Sequence, residues 1–208
     1  MDTDRAIKLP GRVNGWPVDN RIQKGTTMNF RDTTARLLQT LVAEKIGYAL
    51  IGGFAVGLWG VSRGTVDMDF LVLREDLERL DRVMKQLGFT LYYRSENVSQ
   101  FESASGGIDF LHAFRSHTRE MLTRAVEREI FAGASAVRVL RPDDLIGMKV
   151  QAMANAPERT GLDLYDIEGL MRLHAAALDW QLIEEYFTLF DMQPLFAILK
   201  EKYHAPQR

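Results

Sequence analysis

The chain has 208 residues, of which 46% are hydrophobic, enough for one domain or two small ones around a substantial core. Its formal charge of -2 and pI of ≈ 6.1 argue against a broad basic surface for sequence-independent nucleic-acid binding, while leaving room for a local basic groove. Cysteine is absent, which excludes disulfides, thiolate metal sites and thiol nucleophiles. No apolar run approaches a membrane span and the N-terminus lacks a signal-peptide apolar region, so the expectation is a soluble cytoplasmic protein with no membrane segment.

Residues 1–27 are polar, carry Pro10, Pro17 and several glycines, and show no period; they read as a flexible N-terminal arm. From Asp32 to about Lys45, Leu37, Leu38, Leu41 and Val42 fall on one helical face, with Gly47 as the stop. Tyr48 to Ile51 reads as a short buried strand, Gly53 to Trp59 as a short helix and Val66 to Leu73 as a strand. Arg74 to Leu87 is an amphipathic helix through Leu77, Leu80, Met84 and Leu87, closed by Gly88. Phe89 to Arg94, Val98 to Glu102 and Ile108 to Phe114 read as strands, with Gly106-Gly107 marking a hairpin turn. Thr118 to Ile130 reads as a charged helix and Ala136 to Leu140 as a strand. Four helices follow: Asp143 to Ala154, Leu162 to His174, Asp179 to Phe190 and Pro194 to Tyr203. Pro142-Asp143 makes a helix start and Asp179 an N-cap. The division is an α/β core over 28–140 and an α-helical subdomain over 141–208.

The stretch YALIGGFAVGLWGVSRGTVDMDFLVL carries the chemistry. Gly52-Gly53 stands where the first strand must turn into the short helix. Glycine there permits a positive φ and the close approach of a phosphate, and the first helical amides would face it. Alone, such a pair is more often a plain tight turn. Asp67 and Asp69 stand one residue apart at the head of an apolar run. On a strand, residues i and i+2 share a face, about 6.5–7 Å apart, so two carboxylates can converge on one Mg²⁺ or bridge two. A bare D-x-D is commonly just two solvated acids. Arg63 and Thr65 have two readings of equal weight, phosphate contacts or surface loop residues. Asp109, in GGIDFLHAF, is a third acid within an apolar run; it is either a third carboxylate acting as general base or an acid on a wet sheet face.

Together these residues resemble the nucleotidyltransferase fold of the DNA polymerase β superfamily: an apolar residue and Gly-Gly (Ile51, Gly52, Gly53), then Asp-x-Asp (Asp67, Asp69), then a later acid (Asp109). Arg63 and Thr65 match the R-x-T-x-D-x-D form of small bacterial members. The segment RPDDLIGMKVQAMANAPERTGLDLYDIEGL is similar to the helical part of the AbiEii/AbiGii-type (type IV toxin–antitoxin) nucleotidyltransferases. Pro142, Asp144, Leu145 and Lys149 match a P-x-D-L-x-x-x-K helix; Arg159, Asp163 and Asp166 approximate R-x-K-D-x-x-D-L. Leu162 stands where that family usually has lysine, with one extra residue before it.

The resemblance implies an α+β fold, a small mixed sheet flanked by helices, followed by an α-helical C-terminal half. It implies an enzyme that moves an NMP from an NTP to a hydroxyl acceptor with Mg²⁺ or Mn²⁺. Gly52, Gly53, Arg63, Thr65, Lys149 and Asp163 would hold the nucleotide, and Asp67, Asp69 and Asp109 would be the catalytic, metal-binding acids. The acceptor it implies is tRNA or a protein, with an antitoxin partner. Two alternatives stay open: a small-molecule, antibiotic-type adenylyltransferase, and a non-catalytic relative that binds a nucleotide or a partner. His112, His117 and His174 lack metal-ligand spacing. The arginines 115, 119, 124 and 128 alternate with glutamates and read as a solvated face rather than an RNA patch.

Overall fold

The computed structural model describes residues 30–65, 67–104, 106–130 and 136–204. The expected arm over 1–27 and the expected strand start at Val66 lie outside them. In chain order the elements are α1 (Phe30–Ala43), β1 (Tyr48–Ile51), α2 (Gly52–Leu58), β2 (Met68–Leu73), a 3₁₀ turn (Arg74–Asp76), α3 (Leu77–Gln86), β3 (Thr90–Arg94), β4 (Val98–Ser103) and β5 (Gly106–Ala113). They continue with α4 (Ser116–Arg124), β6 (Val126–Glu129), β7 (Ala136–Val139), α5 (Pro142–Asn155), α6 (Thr160–His174), α7 (Trp180–Leu189) and α8 (Gln193–His204). This is the expected α+β fold.

The strands form one mixed sheet in the order β3-β4-β5-β2-β1-β7-β6. β2 runs antiparallel to β1 and parallel to β5, and β5 runs antiparallel to β4. A single pattern organises the middle of the sheet. The triplets Asp69-Phe70-Leu71 and Asp109-Phe110-Leu111 lie side by side in register on β2 and β5. Alternation sends Phe70 and Phe110 to one face, where their rings stack at 5.4 Å and Phe101 packs edge-on at 5.7 Å. That face is the core, shared with Leu37, Leu38 and Leu41 of α1 and Leu80 and Met84 of α3. The same alternation sends Asp69 and Asp109 to the opposite face.

Two sequence readings need correction here. Thr118–Ile130 is not one helix: α4 ends at Arg124, Ala125 turns extended (φ -57°, ψ 140°), and Val126–Glu129 becomes edge strand β6 paired with β7. The segment VERE has no strong strand preference of its own, and pairing supplies the strand. Val42 is the outlier of the α1 face, 65% exposed while Leu37, Leu38 and Leu41 are buried. The hairpin before β5 is present, with Gly106 (φ 123°) paired to Ser103 at the first position of the strand.

Helix α5 is buried nearly all round, which explains why its apolar residues do not form one stripe. Its N-terminal acids are structural. Asp144, fully buried, accepts from Arg124 at 2.7 and 3.2 Å and from the Tyr186 hydroxyl at 2.7 Å. Asp143 accepts from the Asp179 amide at 2.7 Å. Arg124 therefore belongs to an internal ion pair, whereas Arg119 makes a surface pair with Glu75. Gly147 leaves room for the Tyr186 ring, which a Cβ there would meet at 2.5 Å. Asp179 caps α7 as expected, accepting from Leu182 N at 3.0 Å. Among the described residues no helix is long and apolar enough to cross a membrane.

Candidate active site

The turn from β1 into α2 is built around one carboxylate. Gly52 has φ 68°, a left-handed conformation, and a Cβ on it would come within 2.1 Å of Asp69 Oδ2. A Cβ on Gly53 would meet Thr65 Cβ and Oγ1 at 2.9 Å. The glycine pair and the R-x-T-x-D-x-D segment are thus two sides of one contact. Each glycine is required by the side chain lying against it, and a plain tight turn would not explain both.

Asp69 and Asp109 are register partners on neighbouring parallel strands, about 4.8 Å apart by strand spacing. Both are half-buried. Asp109 Oδ2 accepts from the Gln100 side-chain amide at 2.8 Å, across the β4–β5 pairing. Asp67 falls one residue before β2 rather than on it. Its would-be neighbour strand has already turned away, since β1 ends at Ile51 opposite Asp69. Among the described residues no group of three or more His, Cys, Asp or Glu is placed to hold a metal ion. The geometry offers a pair, Asp69 and Asp109, with Asp67 one strand repeat away. A pair fits the donor chemistry of Mg²⁺, which takes hard oxygens and commonly only one or two carboxylates, the remainder coming from water and substrate phosphate.

A second polar group lies between α5 and α6. Lys149 Nζ donates to Asp163 Oδ1 at 2.8 Å and pairs with Asp166 Oδ2 at 2.7 Å; Arg63 also donates to Asp166. The two aspartate side chains are fully buried, Lys149 8% exposed and Arg63 13% exposed. Two cations balance two anions, as burial requires. The hydrogen bonding is nevertheless incomplete: Asp163 Oδ2, Asp166 Oδ1 and Arg63 Nε are buried with no partner. Arg159 Nε stands 3.9 Å from Asp163 Oδ2. Through Arg63 this cluster pins the loop that leads to Asp67. Tyr165 helps by donating to the Ser62 carbonyl at 3.3 Å, and Val61 packs where a Cβ on Gly169 would sit.

Gly52, Asp69, Lys149, Arg159 and Asp163 share one cleft between the sheet and α5, with an empty volume of ≈ 870 Å³ counted out to its mouth. Its floor is Leu71, Leu111, Leu145 and Met148. Of the residues singled out from sequence, Gly53, Arg63, Thr65, Asp67 and Asp109 do not line the cleft; Gly53 lies against Thr65, Thr65 Oγ1 donates to the Asp67 carbonyl at 3.4 Å, Arg63 pairs with Asp166 and Asp109 stands beside Asp69. Sequence reasoning did not single out Gln100, Asp166 as the shared partner of Arg63 and Lys149, or Arg159 as a cation on the cleft wall. Gln100 is visible only through the β4–β5 register. His112 is a core histidine: its ring nitrogens lie 2.9 Å from Ser99 Oγ and 2.8 Å from the Glu96 carbonyl, and burial pushes its pKa down. His174 bonds the Trp59 carbonyl at 2.8 Å.

The fold is that of solved nucleotidyltransferase-like proteins. The solution structure of the antibiotic-resistance factor ANT(2'')-Ia aligns with a TM-score of 0.58 at 17% identity, over 86% of this chain and 100% of that one. ANT(2'')-Ia in complex with adenylyl-2''-tobramycin gives 0.54 at 16%, over 83% and 99%. An antigenic nucleotidyltransferase-like protein from Paracoccidioides brasiliensis gives 0.53 at 15%, over 83% and 92%. No curated protein matches the sequence. The chain belongs to a family described as uncharacterised nucleotidyltransferase, whose model matches residues 16–199, and it is an enzyme of that class.

Proposed function

We propose that the chain transfers a nucleoside monophosphate from an NTP to a hydroxyl acceptor at the Asp69–Asp109 pair, with Mg²⁺ or Mn²⁺ as the metal. The observation that carries this is the in-register pair of carboxylates with the Gly52 backbone pressed against one of them. Asp69 and Asp109 would hold the metal, with Asp67 one strand repeat from the pair; when bound, the metal supplies charge neutralisation for the phosphates. Gly52 and Gly53 admit the triphosphate close to the backbone. Arg159 offers its charge from the cleft wall, and Thr65 supports Gly53. Lys149 and Asp163, with Asp166 and Arg63, hold the wall and the loop in place. The acceptor oxygen attacks the α-phosphorus and forms the new P–O bond. The bond from α-phosphorus to the bridging oxygen breaks, and pyrophosphate leaves with the electron pair. The acceptor proton passes to Asp109, half-buried and already accepting one hydrogen bond.

Two acceptor readings stand. The P-x-D-L-x-x-x-K helix supports an AbiEii-type toxin acting on tRNA or a protein in the cytoplasm, countered by an antitoxin. The absence of cysteine fits a reducing compartment. The formal charge of -2, which gives little support to a broad basic surface for RNA, favours a small-molecule acceptor. The test is incubation with each labelled NTP, Mg²⁺, total RNA and cell extract, beside calorimetry of NTP binding with and without Mg²⁺. The expected result is Mg²⁺-dependent binding and label transfer that disappears in Asp69→Asn. Metal-dependent binding without pyrophosphate release across all acceptors would instead identify a nucleotide-binding relative.

A further inference from the structure

We propose that the inner end of the cleft is a nucleoside slot: it takes the ribose and base of the NTP, and the Asn97 side-chain amide reads the edge of the base. This rests on the transfer site lying at Asp69 and Asp109, and it adds where the nucleoside lies and which residue selects it.

The cleft has two unlike ends. One carries Gly52, Asp69, Lys149 and Arg159, where the triphosphate belongs. The other carries Asn97, His112 and Thr118, where β5 ends and α4 begins. Between them the lining is apolar. Leu71 and Leu111 are register partners two residues beyond Asp69 and Asp109, so alternation puts them on the same sheet face as the acids. Leu145, Met148 and Ala152 stand opposite on α5, at spacings of three and four that share one helical face. A sheet and a helix lined in this way bound a flat apolar space. A triphosphate gains nothing there, whereas the planar base of the same molecule does.

The acceptor is directed elsewhere. Asp69 lines the cleft, and Asp109, the group given the acceptor proton, does not. A hydroxyl that reaches Asp109 therefore approaches from outside this space.

Asn97 is held in place while its amide oxygen is left over. Its backbone N–H donates to Ser95 Oγ at 3.2 Å, and its carbonyl accepts from His112 N at 2.9 Å. Among the described residues its side-chain Oδ1 is buried with no hydrogen-bond partner. An oxygen left unmet is costly, and an N–H of the base at the end of the slot would meet it. Its neighbours are already engaged: the His112 ring nitrogens with Ser99 Oγ and the Glu96 carbonyl, Thr118 Oγ1 with the Arg115 carbonyl. His112 lies about 10 Å along β5 from Asp109, so Asn97 stands about one nucleoside's length from the transfer site. An amide presents one donor and one acceptor, and suits a base edge that presents one of each. A carboxylate only accepts, and suits guanine, whose N1–H and 2-amino group are adjacent donors.

Calorimetry of the full chain with Mg²⁺ tests the slot without an acceptor, using each NTP and inorganic tripolyphosphate. The preferred NTP is expected to bind at least about tenfold more tightly than tripolyphosphate. Ala152→Leu fills the slot and should bring that NTP to within about threefold of tripolyphosphate, whose own Kd stays within about twofold. Asn97→Asp should shift the ratio of GTP to ATP affinity about tenfold towards GTP, and it decides alone if Ala152→Leu does not fold. Tripolyphosphate bound as tightly as every NTP by the wild type overturns the slot and leaves the transfer site standing. So does an NTP affinity unmoved by Ala152→Leu, or an unmoved GTP-to-ATP ratio in folded Asn97→Asp. No Mg²⁺-dependent binding of NTP or tripolyphosphate by the wild type removes the transfer site and the slot together.

Discussion

The molecule carries two pairs of aspartates a few residues from one cleft, and they are handled in opposite ways. Asp69 and Asp109 stand on adjacent strands, half-buried, with a neutral amide on Asp109. Asp163 and Asp166 are fully buried between helices and share Lys149. A buried pair whose charge is already balanced is part of the scaffold: it costs desolvation to make and more to break. A half-exposed pair of carboxylates on a rigid sheet is placed to take a cation from solution, which is the role proposed for it above. The difference teaches that acidity alone does not mark a candidate catalytic group; its burial has to be read with it.

Substitutions should separate the two pairs. The largest effect expected is on turnover: Asp69→Asn lowers nucleotidyl transfer by about a thousandfold or more, with a melting temperature near that of the wild type. Equal activity in the two proteins would dissolve the comparison. Next, Lys149→Met leaves two buried carboxylates with one cation, and should destabilise the fold by about 3–5 kcal/mol in denaturant unfolding. A midpoint unchanged from wild type would mean the helix pair is not scaffold. Gly52→Ala lies between the two groups, since it strains a left-handed residue and strikes the carboxylate of the other pair. It should cost about 1–2 kcal/mol or more and impair transfer as well. Loss of stability with full activity would show that Asp69 tolerates displacement.

The smallest effect is a pH dependence that belongs to neither pair. Burial, the dominant cause, lowers the His112 pKa below its ordinary value of 6.5, so the unfolded chain takes up the proton first. Stability is therefore flat above about pH 7 and falls as pH drops from about 6.5 towards the lower folded value. His112→Gln should flatten that part of a melting-temperature profile, and an unaltered slope would place the titration elsewhere.

Much of this was legible in the sequence because the informative elements are short and local. Tyr48–Ile51 is a continuous apolar run ended by glycines, and the strand has those bounds. Gly52-Gly53 and Asp69 could be paired on paper, yet the reason for the pairing, a carboxylate where a Cβ would be, exists only in three dimensions. β6 was illegible because Val126–Glu129 acquires its extended form from β7. Asp67 was read onto the strand because the D-x-D pattern says nothing about where β1 ends. Arg63 was a loop arginine in the sequence; its partner Asp166 lies 103 positions away, beyond any local pattern.

The pairing of β3 with β4 shifts register between Leu91 and Tyr93, where β3 carries one extra residue. β3 is an edge of the sheet, and all five of its residues are exposed. A regular edge of Leu91, Tyr92 and Tyr93 would offer a second chain an uninterrupted ladder of amides and carbonyls. The extra residue breaks that ladder's spacing and twists the strand. The irregularity between Leu91 and Tyr93 therefore keeps this exposed, apolar rim of the sheet from templating its own aggregation.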